Sequence, residues 1–306
     1  MMTTAEYAYR AGMRYRSLFA SILLLSRPGI LALVALAGFC GMVMATGGLP
    51  DGEISGLTMF CLLLSAAGSA MINSVLDYSL DLKMARLQSR VEALRYLGRN
   101  RAVLLAGGLV IVSTVLAFRC LNALTAILIL SAALTYTVPY TLWLKRCSPF
   151  GAVPGGIPGA LPVLVGYAAV AGAIDTRAML LFLIVFLWQP PHFWIFALKH
   201  REDYVKSGVP VLPAVMGEKL TKSFILLHVA ALVPVSVALG IFGAFSTWYM
   251  GFAVLSGVFF VASCYLFVIK HCLLVRAFRA SILYLFFIFL AIIADICVFK
   301  IPGAGG

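Results

Sequence analysis

The stretch NSVLDYSLDLKMARLQSR, residues 73–90, ends a long apolar segment with two carboxylates and three cations. On an α-helix Asn73, Asp77 and Asp81 are spaced by four residues, so their side chains line one face. Two carboxylates about one turn apart repel each other and lose hydration at a membrane boundary, so a bound cation is the simplest way to neutralise them. Mg²⁺ suits these ligands, because it binds few protein carboxylates and completes its shell with water and substrate phosphates.

Three cations, Lys83, Arg86 and Arg90, follow the carboxylates within a few helical turns. Arginine binds phosphate oxygens in bidentate fashion, and lysine binds them as a point charge. The stretch therefore predicts a Mg²⁺–diphosphate site at the membrane surface, with Asp77 and Asp81 as its catalytic residues. The alternative is a helix end that simply becomes polar where it leaves the lipid.

The composition excludes a soluble globular domain. Of the 306 residues, 63% are hydrophobic and 11% are charged, and the mean hydropathy is +1.05. The charged residues that give the net charge of +12 lie between the apolar segments. This distribution favours a basic surface facing anionic lipid, and it argues against a nucleic-acid partner. The seven cysteines form no CxxC motif and predict no disulfide framework.

Nine apolar segments are long enough to span a bilayer, so we expect an all-α polytopic membrane protein. Two longer connections, 82–101 and 199–222, lie four spans apart and suggest repeat halves at 29–143 and 152–269. We expect a lead-in at 1–28, one membrane domain at 29–300 and a tail at 301–306. The predicted spans are 29–48, 56–80, 102–118, 122–143, 152–172, 178–198, 223–243, 247–269 and 281–299.

The positive charges predict the orientation. Twenty of the 23 Lys and Arg lie in the lead-in and in the connections after the even-numbered spans. Only Arg119, Arg177 and Lys300 lie at the other side. Because basic residues stay in the cytoplasm, we expect a cytoplasmic N-terminus and a cytoplasmic site, in a bacterial inner membrane.

A second cluster, YTVPYTLWLKRCSPFG at 136–151, joins aromatic side chains to two cations. Lys145 and Arg146 are candidates for binding a diphosphate. The ring faces of Tyr136 and Tyr140 are candidates for stabilising a carbocation. The alternative is an interfacial aromatic belt with a positive anchor.

A third cluster, WQPPHFWIFALKHREDYVKSGVPVLP, occupies residues 188–213. Pro190 and Pro191 predict a kink in mid-membrane. His192 lies beside them, and a histidine at that depth is a candidate functional residue. The alternative is that it donates to a backbone carbonyl that the prolines leave without a partner. Asp203 is a candidate outer metal contact, or a surface partner of a nearby lysine.

Together these three stretches resemble the UbiA-type intramembrane prenyltransferases, with a similarity that runs from about residue 25 to residue 300. PPHF, and then EDY before GVPVLP, resemble the branch that farnesylates haem. The resemblance implies a nine-helix bundle around a central cavity. It also implies transfer of farnesyl from farnesyl diphosphate to a vinyl group of protohaem IX (haem B), with addition of water.

The resemblance implies roles for particular residues. Tyr78 and Leu87 depart from the Arg and Thr that relatives commonly carry, and His200 stands where a second Asp-rich motif is usual. The implied metal ligands for Mg²⁺ are Asn73, Asp77 and Asp81, to which we add Asp203. The expected substrate-binding residues are Asn73, Lys83, Arg86, Arg90, Tyr140, Lys145, Arg146, His192, Lys199, Asp203 and Tyr204.

The expected partners are farnesyl diphosphate and haem B as substrates, the lipid bilayer, and a haem A synthase or haem–copper oxidase that receives the product. Three alternatives remain at this point. One is a prenyltransferase of the same fold acting on an aromatic or quinone precursor. Another is a secondary transporter, which is disfavoured because such carriers usually have ionisable groups near the midplane. The third is a non-catalytic assembly factor for a haem–copper oxidase.

Overall fold

Within residues 17–299, which a computed structural model describes, nine helices are long and apolar enough to cross a membrane and no strand occurs. The predicted all-α fold with nine spans is confirmed. Residues 1–16 of the predicted lead-in and residues 300–306 lie outside the described part. The nine helices are α1 (Pro28–Thr46), α2 (Gly52–Leu76), α3 (Arg99–Cys120), α4 (Ala123–Cys147), α5 (Pro154–Ala171), α6 (Thr176–Lys199), α7 (Gly217–Phe242), α8 (Thr247–Lys270) and α9 (Leu274–Val298).

The even-numbered helices α2, α4, α6 and α8 all begin with a side-chain cap. In each, a side-chain oxygen accepts a hydrogen bond from a backbone N–H of the first turn, which stabilises a helix start by about 1 kcal/mol. The connections before these helices are short. The capping residues are Asp51, Asn122, Asp175 and Ser246.

The even-numbered helices finish at the opposite end of the bundle, where the longer connections 77–98, 148–153 and 200–216 lie. We call this the loop-rich end. The first of these connections contains the short helices Tyr78–Asp81 and Gln88–Leu97, and the last contains Arg201–Ser207 and Leu212–Val215. Side chains of the two connections pack into one small apolar cluster, formed by Met84, Ala197, Tyr204, Val209 and Val211.

Glycines let α1 and α5 cross with their backbones almost in contact. A Cβ atom on Gly166 would lie 1.9 Å from the carbonyl oxygen of Gly38, and one on Gly41 would lie 2.2 Å from that of Val163. No side chain fits at these distances, so the small residues of both helices are a packing requirement. This crossing fixes the position of α1 beside the cavity described below.

Several predicted boundaries are wrong in detail, among them the start of α7, which is Gly217 and not residue 223. Helix α2 ends at Leu76, before the predicted residue 80, because the backbone turns out of helical geometry at Asp77 (φ −87°, ψ 1°). Helix α9 begins at Leu274, well before the predicted residue 281, because Arg276 and Arg279 interrupt the apolar pattern but not the helix. Helix α6 runs from Thr176 to Lys199 through both prolines of the predicted kink.

Candidate active site at the loop-rich end

A polar cavity of about 390 Å³ opens at the loop-rich end. Its wall combines side chains from α2, α4, α6 and α9 with others from the connections. Cations, a carboxylate and aromatic rings face the same space. The polar and aromatic residues that line it are Arg27, Asn73, Asp81, Arg86, Arg90, Tyr136, Tyr140, Lys145, Gln189, His192, Phe193, Phe196, Tyr204 and Phe278.

The predicted four-residue spacing of Asn73, Asp77 and Asp81 is kept past the end of α2 by backbone hydrogen bonds. The N–H of Asp77 donates to the carbonyl oxygen of Asn73 at 2.9 Å, and the N–H of Asp81 donates to that of Asp77 at 2.9 Å. The amide of Asn73 donates to the Asp77 carboxylate and to Thr141 Oγ1, each at 2.9 Å. Asn73 therefore fixes the orientation of the Asp77 side chain.

Asp77 is completely buried behind the cavity wall and is neutralised by α4. Lys145 forms an ion pair with its Oδ2, and Nη2 of Arg146 lies 3.6 Å from its Oδ1. Arg146 is held in place because it also donates to the backbone carbonyls of Leu76 at 2.7 Å and Thr141 at 3.2 Å. A π-helical stretch, Tyr136–Leu144, precedes these two cations and contains Pro139.

Asp81 is paired with Arg90 from the first long connection. Burial raises the pKa of the Asp81 carboxyl, and the nearby charge of Asp77 raises it further, while Arg90 opposes both effects. Burial likewise lowers the pKa of Arg90. The pair therefore holds two charges out of water, and a charged ligand entering the cavity can rearrange it.

Arg27 belongs to this cluster, although the sequence pattern indicates only that it is one of the positive charges that set the orientation. It sits between the helix Leu18–Ser26 and α1 with φ 56° and ψ 70°, a backbone conformation that disfavours any residue except glycine. Its guanidinium donates to Asn73 Oδ1 and, at 3.1 Å, to the hydroxyl of Tyr136. A single arginine before a proline is only a weak signal in the sequence.

Arg86, from the connection 77–98, contacts the end of α6 and the connection 200–216 at the cavity wall. The guanidinium of Arg86 lies 5.0 Å from the ring centre of Phe196 and 5.4 Å from that of Tyr204, and its Nε is 3.3 Å from Asp203. Asp203 therefore pairs with Arg86 across the two connections, and not with a nearby lysine.

Among the predicted substrate-binding residues, four are absent from the cavity wall in the described part of the chain: Lys83, Arg146, Lys199 and Asp203. Lys199 and Asp203 line a separate surface groove. Their predicted contacts with substrate or metal stay predictions.

Two features bear on a divalent metal ion. The Oδ1 atom of Asp77 is buried and accepts no hydrogen bond, and only the ion-pair contact with Arg146 at 3.6 Å faces it, so this oxygen lacks a close partner. Among residues 17–299, no three His, Cys, Asp or Glu side chains gather closely enough to hold a metal by themselves. Asp77 and Asp81 therefore fit Mg²⁺, the ion that needs few protein ligands when a substrate supplies phosphate oxygens.

An apolar cavity of about 210 Å³ adjoins the polar one. The two share Ile30, Tyr136, Gly155 and Gln189 in their walls. Small residues of α2, among them Ser65, Ala66, Ser69 and Ala70, make room for it between the helices. Because the two spaces adjoin, one ligand with a charged head and an apolar tail fits both.

The profile of the UbiA prenyltransferase family matches residues 31–292. A protoheme IX farnesyltransferase of Geotalea uraniireducens is 49% identical over 256 residues, which cover 84% of this chain and 99% of that protein. A protein of the same name from Aquifex aeolicus is 36% identical over 274 residues, 89% of this chain and 94% of that one.

Solved structures share the architecture at low identity. A digeranylgeranylglyceryl phosphate synthase has a TM-score of 0.76 at 21% identity and covers 91% of this chain and 98% of its own. A UbiA homologue from Archaeoglobus fulgidus bound to DMAPP and Mg²⁺ has a TM-score of 0.60 at 16% identity, covering 90% and 99%. The extent of the family match and the identity to the farnesyltransferases decide the assignment: the chain is an enzyme of the UbiA prenyltransferase family.

Proposed function

We propose that this protein transfers the farnesyl group of farnesyl diphosphate to a vinyl group of protohaem IX, with addition of water, to give haem O and diphosphate. The observation that carries the proposal is the pair of adjoining cavities, one lined by cations and Asp81 and the other apolar. The similarity to farnesyltransferases that act on protohaem IX supports the choice of acceptor.

The residues that line the polar cavity, together with Asp77 behind its wall, divide into two groups. Asp77 and Asp81 would hold Mg²⁺, and Asn73 positions the Asp77 carboxylate. When bound, the ion neutralises charge that develops on the leaving diphosphate. Lys145, and the arginines along the same wall, supply hydrogen bonds and positive charge to the diphosphate oxygens, where preorganised donors are most effective. These arginines are Arg27, Arg86 and Arg90.

The reaction requires no nucleophilic side chain. The bond between C1 and oxygen of farnesyl diphosphate breaks, and its electron pair leaves with the diphosphate. The π electrons of the haem vinyl group form the new carbon–carbon bond with the allylic cation. Water then adds to the cation left beside the porphyrin ring, and its proton passes to solvent.

The protein contributes to this reaction by shielding the allylic cation and by positioning the prenyl chain. Tyr136 lies at the junction of the two cavities and Tyr140 lines the polar one, with their ring centres 5.8 Å apart and nearly parallel. Their faces can stabilise an allylic cation, because the negative face of an aromatic ring attracts positive charge. The apolar cavity accepts part of the prenyl chain and keeps water away from it.

The orientation and the fate of the product belong to the same proposal. The predominance of Lys and Arg at the loop-rich end supports a cytoplasmic location for that end, with the chain in a bacterial inner membrane. Farnesyl diphosphate then reaches the cavity from the cytoplasmic side. The apolar product passes to a haem A synthase or a haem–copper oxidase in the same membrane.

Replacement of Asp77 by asparagine tests the metal role. D77N keeps the shape of the side chain and removes its charge, so we expect turnover of haem B and farnesyl diphosphate with Mg²⁺ to fall by about 100-fold or more. The product is measured by mass spectrometry in membranes with equal amounts of inserted protein. E53Q, at an exposed glutamate of the opposite end, is the control and should retain activity. Full activity of D77N would overturn the proposed role of the carboxylate.

A further inference from the structure

The ring of His192 is clamped between two aromatic side chains in the wall of the polar cavity. The ring centre of Trp188 lies 4.4 Å away with an interplanar angle of 21°, and that of Phe278 lies 4.5 Å away at 28°. Both faces of the imidazole are covered, so only its edge can meet a ligand. A ring held in this way has one orientation.

A chain of hydrogen bonds determines which ring nitrogen carries the proton. Ser281 Oγ donates to the carbonyl oxygen of Phe278 at 2.7 Å, and Nδ1 of His192 lies 2.7 Å from the same Oγ. Because a hydroxyl group has one proton to give, Ser281 accepts from Nδ1–H. In the neutral imidazole the lone pair is then on Nε2.

Nε2 has no hydrogen-bond partner within residues 17–299, and no acidic side chain there forms an ion pair with the ring. The indole N–H of Trp188 is not available to Nε2, because it donates to the Ser281 carbonyl at 2.7 Å. Histidines that ligate metals in proteins show this same pattern: one nitrogen donates to an oxygen, which fixes the ring and its tautomer, and the other carries the lone pair.

We propose that Nε2 of His192 ligates the iron of the acceptor haem. The inference rests on the proposed function, since it requires a haem in the polar cavity. The surroundings suit a macrocycle, because Phe193, Phe196 and Phe278 line the same cavity as His192. An iron–nitrogen bond fixes the porphyrin relative to the diphosphate-binding residues, and so sets which vinyl group meets the prenyl chain.

The first test is spectroscopic and requires no turnover. The purified full chain in nanodiscs is titrated with ferric protohaem and followed by absorbance and by electron paramagnetic resonance. Wild type should show the spectrum of histidine-ligated haem, and H192A should lose it and bind haem about 10- to 100-fold more weakly. Added imidazole should restore the spectrum in H192A. H228A is the matched control, because His228 bonds only a backbone carbonyl of its own helix and lies outside the cavity wall.

The second test separates ligation from a merely structural role. Metal-free protoporphyrin IX has the same shape but offers no iron, so wild type and H192A should bind it equally well. S281A, which removes the partner of Nδ1, should alter the haem spectrum without abolishing binding. Equal haem spectra in wild type and H192A, or equal loss of haem and metal-free porphyrin binding in H192A, would overturn the ligation.

The farnesyl-transfer assay distinguishes this inference from the proposed function. If wild type farnesylates haem and H192A leaves the haem spectrum unchanged, the ligation is wrong and the function stands. If wild type neither binds haem stoichiometrically nor farnesylates it, both are wrong.

Discussion

The side chain of Arg27 couples an unfavourable backbone conformation to the amide that orients Asp77. Its φ of 56° disfavours a residue with a Cβ atom, yet its guanidinium bonds both Asn73 and Tyr136. Backbone conformations of this kind persist where the surrounding structure fixes them, often at functional sites. The strain therefore favours a role in substrate binding.

Replacement of Arg27 by glycine separates strain from binding. Glycine adopts this φ freely, so R27G should keep or raise the melting temperature. The loss of a charged hydrogen-bond donor from the cavity should raise KM for farnesyl diphosphate by about tenfold or more. The steady-state KM and a thermal unfolding curve provide the two readings. The matched control is A244G, which relieves a φ of 50° at the opposite end of the bundle and should leave KM unchanged. An unchanged KM in R27G would show that Arg27 has only a structural role.

The sequence predicted part of the cavity residue by residue. Asn73, Asp81 and Lys145 lie together because residues at four-residue spacing share a helix face and because cations collect at one membrane side. Arg27 was missed as a site residue because its inward direction depends on a bond to a helix far along the chain. The position of Asp203 was equally inaccessible, since its partner Arg86 belongs to a different connection.

At the scale of elements, Arg86 and Asp203 join the two long connections over the cavity. Both side chains are partly exposed, at 24% and 22%, and exposed ion pairs contribute little to stability. The buried cluster around Met84 and Tyr204 holds the same two connections together without charge. The ion pair is therefore an accessory contact between elements that already pack together.

Replacement of Asp203 by asparagine tests whether this carboxylate also binds metal. If Asp203 only pairs with Arg86, the ion pair contributes about 0.2–1 kcal/mol to holding that arginine in place. D203N should then lower kcat/KM by only a few-fold. The assay is the same farnesyl transfer, run over a range of Mg²⁺ concentrations, with the exposed neighbour variant E202Q as control. A loss as large as that of D77N, with a raised Mg²⁺ requirement, would assign Asp203 to the metal.

Hydropathy predicted all nine long helices but not the residues at which several of them begin or end. Helix α2 stops at Leu76, next to Asp77, whose side chain pairs with Lys145 of α4, and no local pattern in the sequence shows that contact. Helix α9 extends outward past Arg276, since helical hydrogen bonding does not require an apolar surface. The π-helical stretch at the end of α4 was likewise not predicted.

At the scale of the whole molecule, the separation of charge between the two ends predicts a cytoplasmic site. Exposed cysteines mark both ends: Cys147 lies at the loop-rich end, and Cys120 lies at the other. Variants that retain only one of these cysteines can be treated with a membrane-impermeant maleimide in spheroplasts. We expect Cys120 to react and Cys147 to react only after the membrane is opened. The reverse labelling pattern would place the candidate site outside the cytoplasm.

The central claim is that the acidic end of α2 binds a divalent ion together with the diphosphate of an isoprenoid. Its most direct test is a crystal structure with Mn²⁺ and an unreactive thio analogue of farnesyl diphosphate, using the anomalous signal of manganese. We expect a manganese peak bound by the carboxylates of Asp77 and Asp81 and by the diphosphate oxygens, with the prenyl chain entering the apolar cavity. A diphosphate bound at the opposite end of the bundle, or a metal peak remote from both aspartates, would contradict it.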